Sequence, residues 1–413
     1  MKKLIILALF MTLFTAYVFS EIAISGLIGT GVTLLQDTTE EDHELKAGGF
    51  VWGRLQMNVE NEAKTTGGVL RIMAGLYTLN TAPQYTDIYA WAWWKPIKQV
   101  KLHLGFIDDF STAEIVGWGF NGNDAEDYIA SAGYEYTNGI FGRATGFYNG
   151  TWWTGAALMV TPIEGMAINL AFPFNLGNLA GAVAKDVYQH TNAQISYSIP
   201  GIGRAALSFE GKGGQDLEIG NAIVNPDSAG PLGYESFRAN ASTLYVSFLV
   251  NALNNMGIGL NIGFAYTLPA ESGDFTYNSP LAAGLGFSYD RGKFSVRTRF
   301  AATFLGTIKE TGGDSYEEPF KLGIGVIPSY DFGILKLYLN AGISFMGKET
   351  LIDGNDDEVD NSPAFGWHVN PYVTKRIGSC TFFGGVSAES FGTPDDSKPI
   401  IQWKIMLAFQ YEI

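Results

Sequence analysis

The sequence predicts one all-β domain, a single antiparallel transmembrane β-barrel, and three observations carry this prediction. Apolar residues alternate with small or polar residues in short segments along the whole chain, which is the period of a β-strand. Tight turns and long segments follow one another in regular succession, as in barrels that cross a membrane. Charged residues are 16% of the chain, against roughly 25% in soluble proteins, which favours a wall with one apolar face.

The alternating segments define the predicted strands. Leu70 and Ile72 face one side of such a strand, while Arg71 and Met73 face the other. Predicted strands begin near residues 22, 46, 68, 87, 99, 128, 140, 151, 166, 189, 203, 243, 256, 281, 293, 319, 333, 364, 378 and 401. This gives about 20 strands, with about 18 as the fallback if the hairpin over 140–160 drops out.

The apolar face is expected to meet lipid and the polar face to meet water. An apolar lining on the inside of so many strands would need a large packed filling, and no predicted helix offers one. The single cysteine, Cys380, cannot form an internal disulfide, so disulfides do not stabilise this chain internally.

The connections between strands are of two kinds. Short turns rich in Gly, Pro or Asn are predicted at 95–98, 137–139, 162–165, 200–203, 254–255, 290–292, 331–333 and 376–378. Longer segments lie between them at 36–46, 108–126, 173–187, 211–241, 268–279, 306–319, 347–363 and 389–399. Outer-membrane barrels have short periplasmic turns and long outer loops, so an even strand count with both termini in the periplasm is expected.

The two ends of the chain agree with this fold. Two lysines precede an apolar run over residues 4–19, which predicts a signal peptide at 1–20 and a barrel at 21–413. A transmembrane anchor is the alternative, but the run is shorter than the roughly 20 residues of a bilayer span. The last strand, apolar at alternate positions from Trp403 to Ile413, resembles the terminal strand of bacterial outer-membrane barrels, although that family usually ends in Phe or Trp.

Aromatic residues cluster near the ends of predicted strands, where the interfacial bands of a membrane barrel are found. Cross-strand packing inside a soluble core is the alternative explanation for the same clusters. The residues predicted to lie at the membrane interface are Trp91, Trp93, Trp94, Trp152, Trp403 and Tyr411.

The segment Ala90-Trp91-Ala92-Trp93-Trp94-Lys95-Pro96-Ile97, continued through residues 100–105, resembles a segment of porin-like outer-membrane β-barrel proteins of spirochaetes. The resemblance is specific over this segment and only architectural elsewhere. It implies a porin-like barrel and implies nothing about the solute.

The formal net charge is −15, and its distribution is uneven. Acidic residues crowd the long segments, whereas basic residues fall on the polar faces of strands, where only Glu135 and Glu210 oppose them. The predicted pore-lining residues that set selectivity are Arg54, Arg71, Lys101, Arg143, Arg297, Arg299 and Lys336.

A basic lumen beneath an acidic rim predicts a mild preference for anions, because cations in a narrow passage attract them. The alternative is that loop carboxylates fold into the lumen and pair with these cations. The acidic segment 353–357 offers oxygens as in a calcium loop, but Glu358 and Ala364 stand where that motif needs Gly and Glu. No metal site is therefore predicted.

Other function classes find little support in the sequence. The histidines His43, His103, His190 and His368 have no metal-ligand spacing and no clear nucleophilic partner. No glycine-rich phosphate loop precedes a helix, and no basic patch suits nucleic acid. Neither an enzymatic activity nor a cofactor is predicted.

The leading prediction is a porin-like outer-membrane channel for passive diffusion of small polar solutes, with mild anion preference. The alternative is a surface-exposed adhesin or a structural outer-membrane barrel with a closed lumen. The expected partners are outer-membrane lipid, the outer-membrane barrel assembly machinery, small polar solutes and further copies of the chain in a homo-oligomer.

Overall fold

The structure is a computed structural model that describes most of the chain. The described residues are 21–38, 44–45, 48–77, 85–107, 153–173, 191–211, 242–268, 270–272, 275–278, 281–303, 306–310, 315–318, 320–347, 349–352, 358–361, 364–391 and 400–412. The predicted signal peptide lies outside these ranges. No helix within them is long and apolar enough to cross a membrane.

Strands occupy nearly all of the described residues, and one short 3₁₀ turn covers Asn254–Met256. In chain order the strands are β1 Glu21–Thr38, β2 Glu44–Leu45, β3 Gly48–Glu60, β4 Thr66–Tyr77, β5 Tyr85–Ile97, β6 Val100–Ile107, β7 Trp153–Val160, β8 Met166–Pro173, β9 Asn192–Ile199, β10 Gly203–Glu210, β11 Thr243–Val250, β12 Ile258–Thr267, β13 Ala270–Ser272, β14 Phe275–Asn278, β15 Leu281–Arg291, β16 Phe294–Thr303, β17 Gly306–Glu310, β18 Ser315–Glu318, β19 Lys321–Asp331, β20 Lys336–Met346, β21 Glu349–Ile352, β22 Glu358–Asn361, β23 Ala364–Ile377, β24 Cys380–Phe391 and β25 Ile400–Glu412.

A closed antiparallel barrel of 18 strands forms the body of the molecule. Its wall consists of β1, β3 to β12, β15, β16, β19, β20 and β23 to β25, each paired with the next, and β25 closes the ring against β1. The fallback count is therefore confirmed. The strands predicted near 128 and 140 lie outside the described residues, and β6 pairs directly with β7.

Eight short turns in the described residues join barrel strands at one end: 61–65, 98–99, 161–165, 200–202, 251–257, 292–293, 332–335 and 378–379. Seven of them match predicted short turns. The turn 61–65 was not predicted, and the predicted turn 137–139 lies outside the described residues. Gly292 and Gly378 both have φ of 61°, a left-handed conformation that glycine adopts without steric cost in two-residue turns.

Three of the long segments contain hairpins rather than loops alone. Strands β13, β14, β17, β18, β21 and β22 pair into a second, six-stranded sheet, with two strands from each hairpin. One row of paired residues crosses all six strands: Ala270, Tyr277, Ile308, Tyr316, Leu351 and Val359. Aromatic and β-branched residues favour strands. This preference accounts for the extended structure of segments that were predicted to be connections between strands.

The two faces of the barrel wall differ as the alternation predicts. On β4, Ile72 is 36% exposed, whereas its neighbours Arg71 and Met73 are 7% and 3% exposed. Large exposed apolar residues repeat on one face of strand after strand. This face is the outer one, because on the other face side chains from strands that are not neighbours converge, as they do only inside a closed barrel.

Candidate functional site

The inner face of the barrel is the candidate functional site. Buried side chains from β4, β5, β7 and β8 meet there in one cluster, although β6 lies between β5 and β7 in the wall. The members of this cluster are Met73, Tyr89, Trp91, Ala157 and Ala171. An 18-stranded barrel is too wide for such side chains to fill completely, so the inner face can border a passage.

The predicted pore-lining cations lie on this face wherever the structure describes them. Arg54 pairs with Leu27 and Met73, Arg297 pairs with Ser288 and Ile327, and Arg71, Lys101 and Lys336 alternate with outward apolar neighbours. The backbone register of Arg299 puts it on the same face as Arg297, whereas Arg143 lies outside the described residues. Whether these residues set ion selectivity stays a prediction.

Arg71 is fixed against the wall rather than extended into the lumen. Its Nε donates a hydrogen bond of 2.8 Å to Oε1 of Gln56 on the neighbouring strand. Its guanidinium lies over the Trp91 ring, with Cζ 5.5 Å from the ring centroid, a separation at which a cation is attracted by the ring face. Arg71 is consequently one of the buried polar residues of the barrel.

Two lysines share the ring of Trp93. The Nζ atoms of Lys95 and Lys101 lie 5.0 Å and 4.8 Å from its centroid. The indole packs over Gly67, where any Cβ would overlap the ring. We call Arg71, Trp91, Trp93, Lys95 and Lys101 the aromatic arc of the inner wall.

These contacts correct the interfacial prediction for two tryptophans. Trp91 and Trp93 face inward, because they pair with Val69 and Gly67 on the face that carries Arg71. Trp94 faces outward and is 52% exposed, as a residue at a membrane interface requires. Alternation explains the split, since residues two apart share a face and successive residues do not.

The other predicted interfacial residues follow the outer face. Tyr411 is exposed there and pairs with Ile28 and Cys380. Trp403 shares the parity of Tyr411 on β25 and is partly exposed. Trp152 lies outside the described residues. That Trp94, Trp403 and Tyr411 meet the membrane interface stays a prediction.

A second group of polar side chains lines β20 and β23 to β25. Asn340, His368 and Asn370 are fully buried, and Nε2 of His368 lies 3.3 Å from Oδ1 of Asn340. Glu389 is buried too, and its Oε1 lies 3.8 Å from Nζ of Lys404. We call these five residues the amide arc.

Two features of the amide arc differ from the prediction. Glu389 was predicted at the start of the long segment 389–399, whereas β24 continues to Phe391 and pairs Glu389 with His368 and Gln402. The prediction that only Glu135 and Glu210 oppose the basic residues on the polar faces was therefore wrong, because Glu389 lies on a polar face too. The alternation of β23 from Gly366 to Tyr372 contains the signal that places His368 and Asn370 on the inner face.

A chain of uncharged hydrogen bonds continues around the wall between the two arcs. Asn169 Nδ2 donates to Gln194 Oε1 at 3.1 Å, and Gln194 Nε2 donates to Ser208 Oγ at 3.2 Å. Nearer the short turns, Arg204 Nη2 donates to Ser196 Oγ at 2.8 Å. The linked amide and hydroxyl groups of Asn169, Gln194 and Ser208 give the wall a polar inner surface without charge, whereas Arg204 adds a positive charge.

Within the described residues, no group of three His, Cys, Asp or Glu side chains is arranged to hold a metal ion. Neither ring nitrogen of His103 has a hydrogen-bond partner there. A nucleophile and its base must lie within hydrogen-bond reach, so His103 forms no such pair with a described residue.

Comparison with known proteins adds the class of the fold. No family model and no curated protein matches the chain. The BenF-like porin from Pseudomonas fluorescens Pf-5 matches with a TM-score of 0.57 and 10% identity over 96% of this chain and 99% of that chain. Pseudomonas aeruginosa OccK5 (OpdH) gives 0.56 and 12%, and OpdK of the same species, solved with vanillate, gives 0.55 and 11%, each with the same coverage.

These likenesses show the architecture of a porin-type β-barrel. The chain is similar to outer-membrane porins of Pseudomonas over nearly its whole length. The spirochaetal part of the resemblance at residues 90–105 is not supported by these comparisons.

Proposed function

We propose that this chain is an outer-membrane channel through which small polar solutes diffuse passively. One observation carries the proposal: a closed wall of 18 strands is apolar on its outer face and polar on its inner face. Lipid outside and water inside is the arrangement that satisfies both faces. Likeness in fold to porins supports the same function.

We further propose that the channel prefers anions mildly. Lys95 and Lys101 lie on a neutral ring and form no ion pair with a carboxylate of the described residues, and Arg297 is exposed on the inner face. Cations without a carboxylate in direct contact raise the local concentration of anions in a confined passage. Vanillate, found with the similar porin OpdK, is an anion of the small polar class.

Planar-bilayer recording tests both parts of the proposal. The purified barrel, refolded in lipid, is expected to produce discrete conductance steps in potassium chloride. In a salt gradient, the reversal potential is expected to have the sign of chloride permeation. Absence of steps from folded barrels in repeated reconstitutions would refute the channel, and a potential with the potassium sign would refute the anion preference alone.

A second candidate function is a structural barrel or adhesin with a closed lumen. It is favoured by the amide arc, where Asn340, Asn370 and His368 have 0–1% exposure although they lie on the inner face. Solvent does not reach this part of the wall. Folded barrels that are silent in bilayers but bind host matrix proteins would support this candidate, and conducting barrels would exclude its closed lumen.

Assembly is part of the proposal. The final strand β25 pairs along its length with β1 and β24, so insertion by the barrel assembly machinery would finish by closing this seam. Heat-modifiable migration of the outer-membrane fraction on a gel, followed by cross-linking in that membrane, is expected to show a folded barrel and its oligomeric state.

A further inference from the structure

The short turns of this barrel carry exposed apolar side chains. Of the eight short turns in the described residues, six have at least one that is about half exposed or more, within the turn or at its first flanking position, and Phe294 beside the turn 292–293 is 41% exposed. The apolar side chains at the six turns are 49–74% exposed: Ile97, Ile163, Ile202, Met256, Phe332, Ile334 and Ile377. Turn residues are usually Gly, Pro, Asn, Asp or Ser, so turn formation does not account for them.

These turn tips lie beyond a row of aromatic residues on the outer face. Each aromatic of the row lies within three residues of the end of its strand at the short turns: Trp94, Tyr197, Tyr289, Tyr330 and Tyr411. Tryptophan and tyrosine in such a row mark the boundary between hydrocarbon and headgroups. The apolar tips therefore lie on the headgroup side of that boundary.

At two of the turns, a ring contact and a backbone pairing show that the tip continues the outer face and does not point into the mouth of the barrel. The rings of Tyr330 and Phe332 meet edge to face, with centroids 4.8 Å apart. Ile377 pairs with Cys380, which pairs with Tyr411 of the aromatic row. A side chain in contact with the outer aromatic row is in the position to contact lipid.

Exposed cations accompany the apolar tips at two of the six turns, whereas the carboxylates of Glu164 and Asp331 stand beside Ile163 and Phe332. Lys98 follows Ile97, and Lys375 and Arg376 precede Ile377. Arg376 is engaged by Glu412 at 2.9 Å, whereas no ion pair of Lys98 or Lys375 is present among the described residues. An apolar side chain beside a lysine is a combination that binds a membrane surface. The apolar side chain enters the headgroup layer, and the lysine ammonium contacts lipid phosphate.

The distribution of the tips identifies the partner. They occur in turns from β5–β6 to β23–β24, which lie all around the ring. A protein bound to one side of the barrel would contact only a few of them, whereas the membrane surrounds every turn. The two remaining turns, 61–65 and 292–293, are polar at their tips.

We propose that these turn tips form a lipid-docking rim, inserted in the headgroup layer of the leaflet at the short-turn end. Lys98 and Lys375 bind lipid phosphate groups beside it. The rim rests on the membrane location in the proposed function but does not require that the lumen conducts. It would hold the barrel at a fixed depth, since the tips resist movement in either direction along the membrane normal.

Spin labelling tests the rim. Cys380→Ser removes the native thiol, and single cysteines are placed at Ile163 and Ile334, with Ala63→Cys in the polar turn 61–65 as the matched control. The labelled barrels are refolded in vesicles of phosphatidylethanolamine and phosphatidylglycerol. Collision with oxygen, which concentrates in lipid, is then compared with collision with a water-soluble nickel chelate.

The ratio of oxygen to chelate collisions is expected to be severalfold higher at the two tips than at residue 63. Equal ratios at all three positions would overturn the rim, and would leave a capping protein as the reason for the apolar turns. In the Ile334→Cys background, Lys98→Gln with Lys375→Gln is expected to lower the ratio when phosphatidylglycerol is present. No change would overturn the role of the lysines.

The same samples separate this inference from channel function. Barrels that conduct in bilayers but have aqueous tips would overturn only the rim. Silent barrels with tips in lipid would overturn only the channel. Circular dichroism and heat-modifiable migration of each variant establish that the barrel is folded before either conclusion is drawn.

Discussion

The aromatic arc and the amide arc both contain lysine side chains, but the groups that these lysines contact differ. Lys95 and Lys101 lie on the Trp93 ring, which has no charge, so both positive charges remain in the lumen. Lys404 lies 3.8 Å from Glu389, and both side chains are nearly inaccessible, so this pair adds almost no net charge. The aromatic arc therefore contributes more to the electric field inside the barrel than the amide arc does, although the sequence pattern places basic residues in both arcs.

The same difference separates stability from selectivity. In the amide arc, charge is buried and paired, and removing one partner leaves the other in a medium that disfavours it. In the aromatic arc, the lysines are only partly buried, and each loses only a ring contact if its neighbour is changed. Substitution of a charged residue in the amide arc should act chiefly on folding, and substitution of Lys95 or Lys101 in the aromatic arc chiefly on ion permeation.

The largest expected effect is that of Lys404→Met. It leaves the Glu389 carboxylate buried without the ammonium at 3.8 Å, which should lower the free energy of unfolding by about 4 kcal/mol. The measurement is urea unfolding of the barrel refolded in lipid vesicles. Lys101→Met is the matched control, with an expected loss of about 1 kcal/mol.

The double variant Glu389→Gln with Lys404→Met sharpens this test. Because the buried carboxylate is then replaced by a neutral amide, most of the lost stability should return. If the double variant is as unstable as Lys404→Met alone, the pair is not the cause, and the aliphatic part of Lys404 is.

The next effect concerns the two tryptophans that the structure moves to the inner face. Trp91→Ala should destabilise the barrel by about 3 kcal/mol, because it leaves a cavity under the Arg71 guanidinium. Trp94→Ala, on the outer face, should cost roughly half as much. Equal losses of unfolding free energy in urea would contradict the assignment of the two residues to opposite faces.

A smaller effect is expected at two glycines, each of which packs against one member of an arc. A Cβ at Gly342 would lie 2.5 Å from Cε1 of His368, and one at Gly67 would overlap the Trp93 ring. Each Gly→Ala change should cost about 1–3 kcal/mol. Gly53→Ala is the control, since its nearest atom would be 3.7 Å away, and a loss there as large as at the other two would show that the backbone, not the ring contact, is responsible.

The wall of the barrel could be predicted from the sequence because alternation is a local signal. Ile72 and Arg71 differ in burial as their positions require, and every turn that the sequence placed within the described residues joins two barrel strands. The strand count was less certain, because which strands pair across 108–152 depends on contacts between β6 and β7 that are distant in sequence.

The site was predicted less completely, for reasons that particular residues show. Trp91, Trp93 and Trp94 form one aromatic cluster in the sequence. In the structure, the first two rings face inward and each contacts a cation, whereas the third faces outward and is exposed. Glu389 precedes a turn-rich segment, and its strand continues there because it pairs with His368 of β23 and Gln402 of β25, both distant in sequence. The rows of the second sheet likewise depend on pairing between three separate hairpins.

The smallest change in structure should give the clearest change in permeation. Lys101→Gln removes one charge that lies 4.8 Å from the centroid of Trp93 and keeps most of the side-chain volume. The reversal potential in a potassium chloride gradient should move toward the potassium value, and more so at low ionic strength, where screening is weaker. The double variant Glu389→Gln with Lys404→Met removes one charge of each sign and should leave the potential unchanged. If the double variant shifts it as much as Lys101→Gln does, the lumen field does not come chiefly from the aromatic arc, and the contrast between the two arcs fails.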